Sequence, residues 1–499
     1  MALVRSLALL PLALAAVLPR VASASRPTCA AVEAALGSRI LFDACFASTD
    51  LTTANGATTP ANNSIASLPA GAFTPITDRG VIAPSAGRRT PITKAVPGIQ
   101  LSGRFADDPT GEGRFLLRLP NDWNGRLVVA GASGTRSEFN GDFAWSDYVV
   151  QKGYAYASQN KGVLNLRIAS LSSPTPPNGL ACRLNPASQV WVNFYDNDDG
   201  QPFTRWAAFM AKAAEAARVG VRASYGHGAR FTYAVGTSNG GYQVRRAVES
   251  YPGLFDGGVD WEGTFVDAGA PNLLTDLPAA VLNYPDYLAS AFSPTSTAAR
   301  NIVAAGYPPD IVLSSTASLW TNYSTSFWEV TLCQWQKRLD SGYDTYGSGP
   351  ASYNYVARLS ASNVGAGLAA FATTGRILRP LVTVAGTMDG LLPIDHHARA
   401  YARKVAAWLH PWASEDAGDD EGAPAYRLYE VQNGNHIETY ADAFTQLEII
   451  EPHAQHAFDL LVRSVEAGGA LPPSQCIPRG GAISGAPAQP GHCANLFEP

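Results

Sequence analysis

Short apolar, β-branched runs bounded by Gly, Asn and Pro recur along the chain, and stretches of helical spacing lie between them. Leu127 to Ala130, Tyr154 to Ala157, Phe231 to Val235, Leu381 to Ala385 and Tyr426 to Val431 read as strands; Thr204 to Val219, with Ala-rich faces, reads as a helix. Residues 251–259 read as a helix end, a turn and another buried strand, and Pro97 to Leu101 and Arg114 to Leu119 as opening strands. Alternation of strand and helix from Val128 onward predicts an α/β fold, a mostly parallel sheet with helices on both faces. From about Leu51 to Pro97 the chain is rich in Thr, Ala, Pro, Ser and Gly, which suits an extended wrap. The rhythm breaks between Trp261 and Gly375, where Tyr284, Tyr287, Trp320, Tyr323, Trp328 and Trp335 accumulate. An insertion there would cover a cleft as a lid, its rings filling the lid core or lining an apolar pocket. The expected organisation is a leader over 1–24, a wrapping segment over 25–97, a core over 98–260 and 376–470, a lid over 261–375, and a Cys-containing tail over 471–499. No repeat of solenoid length interrupts it.

One motif gives the sheet a chemistry. Gly236-Thr237-Ser238-Asn239-Gly240 follows the Phe231 to Val235 strand and precedes a helical stretch, so Ser238 stands at a strand-to-helix elbow. Such a serine needs a base and an acid, which parallel-sheet hydrolases supply later in the chain and in the order acid, then histidine. Asp389 lies just past the Leu381 to Ala385 strand, and His436 lies in the Gln432-Asn433-Gly434-Asn435 loop after the Tyr426 to Val431 strand. Asp395 reads as a helix cap, and surface or capping places are expected for the remaining histidines, including His396 and His397. For the oxyanion, the backbone N–H of Asn239 is one expected donor and that of Ala132 or Ser133, after the Leu127 to Ala130 strand, the other.

Composition narrows the partners. With 36 basic against 41 acidic residues, a net charge of −5 and 15% charged residues, the chain lacks the basic excess of a nucleic-acid binder. A neutral or apolar small-molecule or oligomeric ester fits better. The first residues, Arg5 followed by an Ala, Leu and Val run and then Ala22-Ser23-Ala24, read as an export signal too short to span a membrane, and no other span is evident. All six cysteines lie beyond that signal, as expected for disulfides in a secreted or periplasmic protein. Proximity favours Cys29 with Cys45 and Cys476 with Cys493, leaving Cys182 for Cys333, although sequence does not choose among the possible pairings. Asp196-Asn197-Asp198-Asp199-Gly200 lacks the spacing of a calcium loop, the acidic run from Glu415 to Glu421 reads as a surface loop, and no metal or cofactor is needed.

The runs from Tyr233 to Gly241, from Tyr251 to Gly258 and from Gly386 to Pro393 resemble α/β-hydrolases of the tannase and feruloyl esterase type, over roughly Gly125 to Val465. That resemblance implies secreted carboxylic-ester hydrolysis, often of aromatic acid esters, with a lid in this position. The family typically joins a cysteine before the nucleophile to one after the histidine; Thr237 and Ile437 stand at those places, and tannin or feruloyl specificity does not carry over. No calcium ligand string is recognisable in the lid. The Ser-Asn-Gly-Gly run is also similar to hydrolases of 3-hydroxybutyrate oligomers, which adds short aliphatic polyesters to the expected substrates. A serine peptidase and a non-catalytic binding protein on the same fold are the other readings.

Overall fold

The protein is described by a computed structural model, over residues 26–58, 89–134, 137–139, 141–164, 166–167, 192–193, 203–269, 271–340, 353–361, 363–409 and 425–499. The expected leader, the Asp196 to Gly200 cluster, Cys182 and the acidic run near Glu415 lie outside these residues.

Ten strands form the main sheet: β1 (Ile40–Ser48), β2 (Gly98–Phe105), β3 (Arg114–Pro120), β4 (Arg126–Ala130), β5 (Ala155–Gln159), β6 (Phe231–Thr237), β7 (Gly257–Trp261), β8 (Leu381–Gly386), β9 (Tyr426–Val431) and β10 (Gln475–Ile477). Their spatial order is β1-β2-β3-β5-β4-β6-β7-β8-β9-β10. β1, β2 and β3 pair antiparallel, β3 pairs antiparallel with β5, and every pairing from β5 through β4 to β10 is parallel. Strands buried on both faces need apolar residues throughout, and all six residues of β8 and all five of β7 are buried. Successive side chains alternate between two cores. Leu127 and Val129 join Phe115, Met210 and Val244 on one face, while Val128 and Ala130 join Tyr156, Val235 and Phe458 on the other.

The helices needed below are α1 (Cys29–Leu36), α2 (Arg205–Tyr225), α3 (Asn239–Ser250), α4 (Leu273–Ala289), α5 (Glu329–Leu339), α6 (Ala398–Leu409) and α7 (Glu451–Ala467). A mostly parallel sheet of alternating strands and helices with a serine between β6 and α3 is the arrangement of an α/β-hydrolase.

The sheet reaches further at both edges than the 98–260 and 376–470 core. Within the expected wrapping segment, α1 packs on α2 and β1 pairs with β2 along its whole length. Within the expected tail, β10 pairs with β9. Disulfides Cys29–Cys45 and Cys476–Cys493 staple these two margins. Cys333 is also disulfide-bonded, and the expected pairing with Cys182 falls outside the described residues.

The described residues between 262 and 375 lie outside the main sheet, and Tyr284, Tyr287, Trp320, Tyr323, Trp328 and Trp335 are all buried there in a core shared with Trp206, Tyr242, Met388 and Phe444. Among the described residues, no helix is long and apolar enough to cross a membrane.

Candidate active site

Three parallel strands deliver the site. β6, β8 and β9 share one direction, so their C-terminal ends lie at one edge of the sheet, and the residues just beyond them converge there.

Ser238, directly after β6, has φ 59° and ψ −122°. A side chain rarely occupies this left-handed backbone, which costs on the order of 1–3 kcal/mol and lifts the hydroxyl out of the strand. Its N–H donates to Trp261 O at 2.9 Å, and its carbonyl accepts from Tyr242 N at 3.0 Å. The flanking glycines are explained by contact. A Cβ on Gly236 would sit 2.4 Å from Gly240 O, and one on Gly240 would sit 2.7 Å from the carbonyl of Gly131. The start of α3 thus lies directly on the end of β4.

The structure brings Ser238, Asp389 and His436 together. His436 Nε2 lies 3.0 Å from Ser238 Oγ, and Nδ1 lies 2.8 Å from Asp389 Oδ2. Asp389 Oδ1 accepts N–H groups from Leu391 and Leu392, both at 2.7 Å, which fixes the carboxylate plane. Met388 N donates to Gly434 O at 2.8 Å, joining the acid loop to the histidine loop. From the lid, Tyr323 Oη donates to Asn435 Oδ1 at 2.7 Å, and Trp328 Nε1 donates to Gly390 O at 2.6 Å. All three side chains of the set are buried.

The oxyanion donors separate. Ala132 N–H is engaged, donating at 2.7 Å to Gln243 Oε1, which also accepts from Gln159 Nε2 at 3.1 Å. Ser133 lies on the cavity instead, with Asn239 and Ser238. Its carbonyl accepts from the buried Lys161 ammonium, and its hydroxyl donates to Thr237 O at 3.1 Å. Of the two sequence candidates, Ser133 is the one placed beside Ser238, while Gln243, which no motif announces, anchors the loop.

The cavity beside Ser238 measures about 50 Å³. Its apolar wall comes from the lid residues Leu273, Phe327 and Trp335 and from Leu391, Leu392 and Ile437. Of the aromatics singled out in the insertion, Trp335 lines this space, while the other five are buried beside it, Tyr323 and Trp328 against the loops that carry His436 and Asp389.

Two features went unread in the sequence. Glu262, one residue beyond β7, is buried with Oε2 3.7 Å from His436 Nδ1. Burial first, then the Asp389 carboxylate, push its carboxyl well above the usual range. Glu262, Asp389 and His436 offer polar atoms within 4.8 Å of one another, as metal ligands do, but both ring nitrogens already serve Ser238 and Asp389, so a cation would have to displace one of them.

The second is a cluster tying lid to core. Asp276 of α4 faces His396 Nδ1 at 2.8 Å and His397 Nε2 at 3.4 Å, and His397 Nδ1 accepts from Phe265 N at 2.9 Å. His397 is therefore a buried bridge rather than a surface or capping residue. Asp395 was expected to cap α6, but that helix begins at Ala398, and Asp395 instead pairs with Arg399 at 3.1 Å.

Residues 299–496 match the family model described as 3HB-oligomer hydrolase, a stretch that contains Asp389 and His436 but not Ser238. Among curated proteins, the D-(-)-3-hydroxybutyrate oligomer hydrolase of Burkholderia ambifaria is 33% identical over 117 residues, 22% of this chain and 15% of that protein. The protein of the same name from Burkholderia vietnamiensis is 31% identical over 116 residues, again 22% of this chain and 15% of its own length. These matches thus span a small part of the relatives. Among solved structures, feruloyl esterase B from Aspergillus oryzae aligns at TM-score 0.47 and 15% identity, over 79% of this chain and 86% of that one. An esterase from the same organism aligns at 0.49 and 13%, over 87% and 88%. Tannin acyl hydrolase from Aspergillus niger aligns at 0.43 and 14%, over 79% and 87%. The chain is an α/β-hydrolase by its own topology, and over residues 299–496 it is similar to the 3HB-oligomer hydrolases.

Proposed function

We propose that this chain is an exported, serine-dependent hydrolase of carboxylic esters. The observation that carries this reading is the continuous path from Ser238 Oγ through both nitrogens of His436 to Asp389, at 3.0 and 2.8 Å. Ser238 attacks the ester carbonyl while His436 Nε2 takes its proton, and Asp389 holds the ring in the tautomer that leaves Nε2 free to accept. The backbone N–H groups of Asn239 and Ser133 receive the oxyanion. The imidazolium then protonates the leaving alcohol, leaving the acyl group on Ser238. A water activated by the same imidazole releases the acid and restores the serine.

The substrate reading is an oligomeric hydroxy-acid ester or an aromatic acid ester. The 3HB-oligomer hydrolase match favours the first, and the apolar wall around a small cavity suits an acyl group with few polar atoms. Export is supported by disulfides at both sheet margins. Hydrolysis of p-nitrophenyl esters, followed by a panel of 3-hydroxybutyrate dimer, methyl ferulate, methyl gallate and a terephthalate ester, tests both parts. Preference for the hydroxybutyrate dimer supports the first reading. No turnover of any ester, together with no fluorophosphonate labelling of Ser238, rejects the catalytic one.

A further inference from the structure

Glu262 stands at the reaction centre with no part in the triad. β7 and β8 pair in parallel, so the residue after β7 arrives beside the end of β8, close to Asp389. Its backbone is held at φ 51°, with its N–H donating to Val384 O at 2.8 Å. A non-glycine residue at such a φ carries a cost on the order of 1–3 kcal/mol, so the surrounding contacts hold this side chain in place.

Two buried carboxyls this close do not both ionise. The hydrogen bonds decide which one carries the charge. Asp389 receives the Leu391 and Leu392 N–H groups, each at 2.7 Å, and His436 Nδ1 at 2.8 Å. Glu262 receives a single backbone N–H, that of Gly386 at 3.0 Å on Oε1, with the Trp261 indole beside it. The groups facing it are Asp389, His436, Glu438, Tyr323 and the Trp261 indole, so His436 is the one group among them able to become a cation. A second negative charge 3.7 Å from Nδ1 would hold the imidazole protonated and unable to accept from Ser238.

We propose that Glu262 is a positioning residue that stays protonated while Asp389 is ionised, and that it becomes the carboxylate partner of His436 when Asp389 is neutralised. The second half rests on the triad reading above; the first half stands without it.

Three experiments test this. In the first, Asp389→Asn is compared with the double variant Asp389→Asn/Glu262→Gln. Loss of a triad acid with no replacement costs about 10⁴-fold. D389N is expected to lose only about a hundredfold, with activity rising toward alkaline pH as Glu262 ionises, and the double variant to fall at least about tenfold further. Equal activity in the two overturns the reserve role. In the second, the His436 ring is titrated by NMR in Glu262→Gln and in the unaltered protein. An unmoved midpoint supports a neutral Glu262, whereas a fall of about one unit or more shows that a carboxylate charge was removed and overturns it. In the third, a neutron structure of the unaltered protein at neutral pH reads the proton without any variant: deuterium on a Glu262 oxygen supports the proposal, and a bare carboxylate refutes it. If the unaltered protein hydrolyses no ester, the triad reading fails, and the titration and the neutron map still decide the charge on Glu262.

Discussion

Gly240→Ala tests the elbow geometry because propensity and packing pull in opposite directions. Gly240 is the second residue of α3 and has an ordinary helical backbone, so alanine alone would stabilise the helix by about 0.5–1 kcal/mol. The added methyl, however, would lie 2.7 Å from both C and O of Gly131 and 3.2 Å from Ala132 N. These are backbone atoms at the end of a buried strand and have no rotamer to escape into. Overpacking of this kind costs about 1–3 kcal/mol, so the net effect is a loss of about 1–2 kcal/mol. The displaced segment is also the loop that carries Ser133 beside Ser238, and a shift near 1 Å in a catalytic constellation costs on the order of a hundredfold in rate. Urea midpoints and kcat/KM on p-nitrophenyl butyrate read the two effects. Gly253→Ala, where a Cβ meets nothing within 4 Å, is the control and should change neither. If G240A matches the unaltered protein in stability and turnover, close contact between α3 and β4 does not shape the site.

Other outcomes follow from the same structure. Ser238→Ala should abolish ester turnover and fluorophosphonate labelling while leaving the circular dichroism spectrum unchanged. Arg245 and Asp260 form a fully buried pair at 2.6 Å that fastens α3 to β7, so Arg245→Met alone should cost about 3–5 kcal/mol in chemical denaturation, and adding Asp260→Asn should recover most of it. The contact between lid and core should depend on pH. A hydrogen bond to Asp276 raises His396 above its ordinary 6.5, so the stabilisation is complete below that value and is lost as pH rises through the raised pKa. Asp276 is buried, yet its bonds to His396 and His397 hold it below its ordinary 3.8, so its contribution is present above that value and fades in acid. The urea-midpoint difference between the unaltered protein and His396→Gln should therefore be larger at pH 6 than at pH 9; a difference independent of pH would contradict this.

Local pattern was enough to read the strands that carry the site. Hydrophobic runs in β4, β6, β8 and β9 must be buried on both faces, and the loops after them hold the serine, the acid and the histidine in chain order. The places of Ser238, Asp389 and His436 were legible for that reason. The break in rhythm marked where the chain leaves the sheet, although which of its rings face the cavity was not legible, since all six are buried and Trp335 alone among them lines it.

The sequence by itself determined the direction of the sheet and which residue types stand at its edge, because period and turn chemistry are local. Tertiary structure decided everything that depends on neighbours distant in the chain. Gln243 takes the Ala132 N–H across a separation of 111 residues, His397 receives the Phe265 N–H across 132, and the Gly386 N–H meets Glu262 across 124. Glu262 follows a strand with no motif around it. Its importance comes from desolvation beside a second carboxyl, a property of the folded interior that no spacing of residues encodes.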